Sequence, residues 1–207
     1  MSRSPDPAAM VAVATAPARA RFWNVPNALT VGRLALAVVV FALIGLEQYA
    51  LALFAFVIAA LSDALDGYFA RLLQQSTAVG RQLDPLVDKV INSAGYIYLL
   101  TVPNTGLEPW MDTTIIVREL LIQGLRSHLE GQGQPFGARW AGKLKTVFQC
   151  LSIAAILLSL AIHPPPSWLL VRDALTWTAV ALTLYSGLGY VALALPRLRG
   201  ASPRSAP

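Results

Sequence analysis

Two neighbouring stretches decide how this chain folds: YALALFAFVIAALSDALDGYFARLL, Tyr49–Leu73, and LDPLVDKVINSAGYIYLLTV, Leu83–Val102. Each reaches the length of about 20 predominantly apolar residues that lets a helix cross a bilayer. Yet the first carries Asp63 and Asp66, and the second carries Asp84 and Asp88. An aspartate near the centre of a membrane helix costs about 2.5 to 3.5 kcal/mol, so four of them facing lipid would cost about 10 kcal/mol or more. They must therefore face one another, a cavity or cations.

Their spacing supports that arrangement. Asp63 and Asp66 stand at i and i+3, Asp84 and Asp88 at i and i+4, so each pair projects from one face of its helix. Both pairs fall toward the same ends of their spans, and Lys89 is the basic residue within the second. Four clustered carboxylates repel unless hard divalent ions hold them, and oxygen ligands favour magnesium, manganese or calcium. A two-metal site is the simplest expectation. Gly67 and Ala70 follow Asp66 on the same helix, and Gly80 lies one turn before Asp84. Small residues there let a flat ligand approach the backbone, or let helices pack closely.

Outward from this centre, further apolar segments are expected to span at Leu29–Leu46, Trp110–Leu129, Val147–Ile162 and Trp168–Leu195. The last is long enough to tilt or to include an interfacial turn near Arg172 and Asp173. The expectation is an all-α polytopic membrane protein with six transmembrane helices. Of the 207 residues, 56% are hydrophobic and 13% charged, with mean hydropathy +0.56, too apolar for an ordinary soluble domain. The net charge of +5 is spread over the ends of apolar segments with little aromatic interleaving, which argues against nucleic acid and for an anionic membrane surface.

Orientation follows from where the cations fall. Arg3, Arg19 and Arg21 precede the first span; Arg71 and Arg81 join the second and third; Arg139, Lys143 and Lys145 join the fourth and fifth; Arg197, Arg199 and Arg204 follow the sixth. The connections around Glu47, 103–112 and 163–168 contain no Lys or Arg. Both termini are thus expected to be cytoplasmic, with Trp110 and Trp168 as anchors at the far interface. The division expected is a tail over 1–23, rich in Ala, Pro and Ser and read as disordered instead of a signal peptide, a membrane domain over 24–196, and a basic tail over 197–207. Cys150, the one cysteine, reads as a small core or lipid-facing residue, and His128 and His163 as loop or interface residues with no zinc clustering.

Written through, Asp63-x2-Asp66-Gly67-x2-Ala70-Arg71-x8-Gly80-x3-Asp84-x3-Asp88 resembles the signature of the CDP-alcohol phosphotransferases, with every defining position present. Asn24–Arg33, the Arg118-Glu119 pair and Ala141–Thr146 (AGKLKT) resemble the bacterial phosphatidylglycerophosphate synthases of that family. The resemblance implies displacement at a pyrophosphate: an alcohol attacks the phosphorus of CDP-diacylglycerol and CMP departs. It implies two Mg2+ ions, with Mn2+ as a substitute, held by Asp63, Asp66, Asp84 and Asp88, and Asp88 as general base. It implies CDP contacts from Asn27, Thr30, Asp63, Gly67, Ala70, Arg71 and Gly80, a homodimer, and a bacterial inner membrane with the active site facing the cytoplasm.

If the acceptor is glycerol 3-phosphate, its phosphate needs a cationic pocket beside the metal site. Arg118, inside the apolar run Thr113–Leu125, and Arg126, eight residues on along the same face, are candidates, with Lys143 and Lys145. Arg33, also within a span, suits either substrate, and Glu119 could orient a neighbouring arginine. Within the family the alternatives are phosphatidylglycerol as acceptor, making a cardiolipin synthase, or another alcohol such as inositol phosphate or serine. A cation transporter would also explain intramembrane carboxylates, but the Asp pairs cluster to one side and no inverted repeat of them appears in the later spans.

Overall fold

The computed structural model describes residues 25–73, 89, 91–131, 140–162 and 164–200, and side chains within 31–62, 89, 91–129, 131, 140, 142–162 and 164–195. Among these every regular element is helical: α1 Val25–Gly45, α2 Tyr49–Leu73, α3 at 91–100, α4 Pro109–Gly131, α5 Trp140–Ile162 and α6 Pro166–Gly200. Within them, Gly142–Ile162 and Pro166–Leu195 are long and apolar enough to cross a membrane, and Val31–Gly45 and Tyr49–Ser62 are shorter apolar stretches. α5 starts about two turns earlier than the apolar run that signalled it, because Trp140–Thr146 is helical as well as polar. α6 continues through Gly200, past the expected domain boundary at 196; the expected tail over 1–23 and His163 lie outside the described residues.

α1 packs on α2, α2 on α5, α5 on α6 and α6 on α4. The α1–α2 connection is three residues long and closes as a left-handed C-cap. Glu47 N–H donates to the Ile44 carbonyl (3.0 Å) and Gln48 N–H to that of Leu43 (2.8 Å), with Glu47 at φ 58°. That cap satisfies the last carbonyls of α1 and sends α2 back along it. α6 opens at Pro166, where a missing N–H costs nothing, after the prolines that end α5.

The expected option of an interfacial turn at Arg172 and Asp173 is not taken: α6 runs straight through both. The charges are met sideways. Buried Arg172 donates from Nη1 to the Asn104 carbonyl (2.6 Å) and from Nε to Asp173 Oδ1 (2.8 Å), so it staples the α3–α4 turn to α6. That turn bends through two left-handed residues, Asn104 at φ 61° and Gly106 at φ 74°.

Next to this staple lies the larger apolar core, where Ile44, Phe56, Leu99, Ile115, Ile156 and Val180 close up against one another. A smaller cluster, Ile122, Leu129, Tyr190 and Ala194, joins α4 to α6 at the other end. Polarity is inverted relative to a soluble bundle. Phe54 (67% exposed), Leu120 (66%), Leu170 (72%) and Leu188 (70%) face outward, while Gln149 (1%), Ser152 (0%) and Thr183 (0%) are inside. Gln149 Nε2 donates to Thr183 Oγ1 (3.1 Å), and the Ser152 and Thr176 hydroxyls pair at 2.8 Å, so α5 and α6 are joined by hydrogen bonds as well as packing. An apolar exterior over a hydrogen-bonded polar interior fits membrane association.

A Cβ at position 106 would lie 2.6 Å from Asp173 Oδ1 and 2.7 Å from Arg172 Nη2, on a backbone already in the left-handed region. Gly106→Ala is therefore expected to cost roughly 2 kcal/mol or more and to lower the thermal midpoint in detergent by several degrees. Gly124→Ala, where nothing lies within 4 Å, is the control and should leave it unchanged or raise it. Equal midpoints for the two variants would dismiss the staple.

Candidate active site

α4 carries Arg118, Glu119, Ile122 and Arg126 along one side, spaced so that they share a helix face. α5 brings Gly142, Lys143, Lys145, Thr146 and Gln149 opposite, and together with Lys89, Asn92, Ser93 and Tyr190 they enclose a cavity of about 400 Å³. Among the described residues five cationic side chains and one carboxylate line it. Two of the cations sit in the first turns of α5, the end of a helix where the macrodipole disfavours positive charge. Lys143 and Lys145 thus gain nothing from their own helix, and the dipole adds to their field: the cavity is built for an anion.

Glu119 organises the cations. Its Oε1 accepts from buried Lys145 Nζ and from Arg118 Nη1 (3.1 Å), so one carboxylate ties two charges on two helices. Arg118 Nη2 donates to Ser186 Oγ on α6 (2.9 Å), and its guanidinium carbon lies 5.7 Å from the Tyr190 ring centroid. Lys89 Nζ donates to Gln123 Oε1, linking the start of α3 to α4.

Arg33 of α1 lies apart from this cluster. It is 8% exposed and lines a smaller cavity of about 60 Å³ with Phe56, Ala59 and Ala60 of α2, Ile91, Asn92, Thr146 and Cys150. Asn92 and Thr146 border both cavities, so the two adjoin at α3 and α5. Cys150 is half-buried at this wall, its Sγ 3.9 Å from Asn92 Oδ1. His128 is exposed in the last turn of α4.

Of the residues singled out in the sequence, Arg118, Arg126, Lys143 and Lys145 converge on the main cavity, and Arg33 on its neighbour. Asn27 and Thr30 lie in the first turns of α1, and Asp63, Asp66, Gly67, Ala70 and Arg71 in the last turns of α2, with side chains outside the described set. Gly80, Asp84 and Asp88 lie outside the described residues. Sequence reasoning missed the roles of Gln123, Ser186, Gly187 and Tyr190, none of which is unusual in an apolar helix. Lys89 carried a signal, a charge inside a span, that pointed to the cavity it now lines.

A family model described as CDP-alcohol phosphatidyltransferase matches residues 23–185. Curated bacterial proteins named CDP-diacylglycerol–glycerol-3-phosphate 3-phosphatidyltransferase are similar over most of their length. That of Bacillus subtilis (strain 168) is 37% identical over 188 residues, covering 81% of this chain and 93% of that protein. That of Pseudomonas fluorescens is 34% identical over 186 residues, covering 85% and 92%. That of Cereibacter sphaeroides is 32% identical over 172 residues, covering 80% and 76%. With a family model spanning most of the chain and relatives at this identity, the chain belongs to the CDP-alcohol phosphatidyltransferase family, and is a transferase.

Proposed function

We propose that this enzyme transfers the phosphatidyl group of CDP-diacylglycerol to sn-glycerol 3-phosphate, giving phosphatidylglycerophosphate and CMP. The observation that carries the reading is the cation-lined cavity. Ala60, three residues before Asp63 on α2, lines the smaller cavity beside it, and Lys89, the residue after Asp88, lines the larger one. Three helical residues rise about 4.5 Å, and bonded neighbours are about 3.8 Å apart at Cα. Connectivity therefore supports a place for Asp63 near the smaller cavity and for Asp88 near the larger one. The curated relatives, named for glycerol 3-phosphate as acceptor, support the same choice.

In this reading Arg118 and Lys145, held by Glu119, and Arg126, Lys143 and Lys89 around them, bind the phosphate of the acceptor. A phosphate monoester carries nearly two negative charges at neutral pH, which suits a pocket so rich in cations. Asp88 accepts the proton of the attacking hydroxyl, whose oxygen forms the new bond to phosphorus as the bond to the CMP oxygen breaks. Asn27, Thr30, Asp63, Gly67, Ala70, Arg71 and Gly80 form the CDP side, and Arg33 serves either substrate.

The donor set fits hard cations: four carboxylates in i, i+3 and i, i+4 pairs, on a helix for Asp63 and Asp66. Two Mg2+ ions held by Asp63, Asp66, Asp84 and Asp88, with Mn2+ able to replace them, would supply charge neutralisation of the pyrophosphate. The membrane arrangement we propose is six spans over 24–196, both termini and the cavity on the cytoplasmic side of a bacterial inner membrane, tails at 1–23 and 197–207, and a homodimer. Among the described residues the lining of the cavity favours an anionic ligand over a transported cation.

The first test is CMP release by the purified protein with Mg2+, offering glycerol 3-phosphate, phosphatidylglycerol, inositol phosphate or serine separately. Release is expected with glycerol 3-phosphate, falling about 10²-fold to 10⁴-fold in Asp88→Asn. Release with phosphatidylglycerol alone would make it a cardiolipin synthase, and none with any acceptor would defeat the proposal.

A second test concerns the carboxylate strut. Glu119→Gln leaves two buried cations without their shared partner, a change worth about 3 kcal/mol, so its thermal midpoint should fall by roughly 5 to 10 °C. Inorganic phosphate, entering the cavity as a replacement anion, should restore more of that loss than it adds to the wild type. A midpoint indifferent to the substitution would count against the strut.

A further inference from the structure

Arg118 is held by a device on α6 that lies beyond residue 185, where the family match ends. Ser186, Gly187 and Tyr190 recur at i, i+1 and i+4 on the buried side of that helix, while Tyr185 just before them and Leu188 among them are 72% and 70% exposed. Each of the three meets a different part of the arginine. The Ser186 hydroxyl accepts from Nη2 at 2.9 Å. The Tyr190 ring lies under the guanidinium at 5.7 Å, within reach of a cation–π attraction. Gly187 takes the alkyl stem: a Cβ there would stand 2.9 Å from Arg118 Cγ and 3.5 Å from Nε.

The glycine contact is the informative one. Cγ is near the root of the side chain, so it cannot swing clear as a terminal atom would. Any side chain at 187 must move the whole arginine, and with it the Nη1 contact to Glu119 (3.1 Å). Glycine inside a helix is otherwise a cost relative to alanine. Here it gives room for an arginine whose freedom is removed before substrate arrives. Pre-ordering a long, flexible side chain spares that entropy on binding.

We infer that Ser186, Gly187 and Tyr190 form a cradle that positions Arg118 for the acceptor's phosphate, and that Gly187 sets the acceptor affinity of the enzyme without touching substrate. The inference rests on the acceptor reading above. The three are positioning residues; Arg118 is the group that meets the ligand.

The test is steady-state CMP release by full-length enzyme with each substrate varied in turn. Gly187→Ala should raise KM for glycerol 3-phosphate about tenfold, leave KM for CDP-diacylglycerol unchanged and alter kcat by less than about threefold. Its thermal midpoint should fall, since a Cβ 2.9 Å from Arg118 Cγ shifts a buried cation away from Glu119, so the split between the two KM values, and not stability, is the readout. Tyr190→Leu should raise the same KM, and Tyr190→Phe, which keeps the ring, should recover most of that loss. An unchanged acceptor KM in Gly187→Ala, or equal rises in both KM values, overturns the cradle while leaving the acceptor assignment intact. A wild-type enzyme that fails to turn over glycerol 3-phosphate removes that assignment, and the inference with it.

Discussion

Among the described residues no close backbone contact joins α4 to α5, although Ile115 of α4 and Ile156 of α5 share the larger core. What spans the space between them is one carboxylate: Glu119 on α4 accepting from Lys145 on α5 and from Arg118 beside it. With all three side chains less than 10% exposed, removing any one leaves charge without its partner in a poorly screened place. The cavity is the gap that this strut crosses. Packing alone would have closed the gap or filled it with apolar side chains; charges that must be paired hold it open while keeping its walls in register.

The same constraint works at the opposite end with the opposite result. Arg172 is as buried as Lys145, yet its donors go to Asp173 and to the Asn104 carbonyl, and the turn folds down over it. One end of the bundle uses a buried cation to seal a turn against a helix. The other, among the described residues, gathers five cations around Glu119, more than that carboxylate balances, a surplus that suits an anionic ligand. Structural and functional charges are thus distinguished by their local balance, not by their burial.

This distinction explains what could be read before any coordinates. The helices were legible because apolar length is a local property, and Tyr49–Leu73 has the bounds its composition implied. Arg118, Arg126, Lys143 and Lys145 were legible because a charge in or beside an apolar run demands a reason. The turn expected at Arg172 failed for the complementary reason: its partners lie 68 residues away at Asn104, and only folding brings them together. Ser186, Gly187 and Tyr190 carried no signal at all, since hydroxyls, glycines and tyrosines are ordinary in membrane helices. Their role exists only in relation to Arg118, again 68 residues distant.

The chemistry proposed for this family member needs both signs of charge within one site, and the sequence draws them largely from different segments. The four aspartates of the signature belong to α2 and the segment after it; among the described residues the cations of the cavity come from α4, α5 and Lys89. In the proposed function that division would leave the acids available for divalent ions on the pyrophosphate side and the cations available for a phosphate on the acceptor side. Lys89, bonded to Gln123 of α4 and adjacent in sequence to Asp88, marks the seam. A hydroxyl tethered by its phosphate among the cations would be presented at that seam to the acid that takes its proton, so acceptor selection and proton abstraction become one geometric requirement.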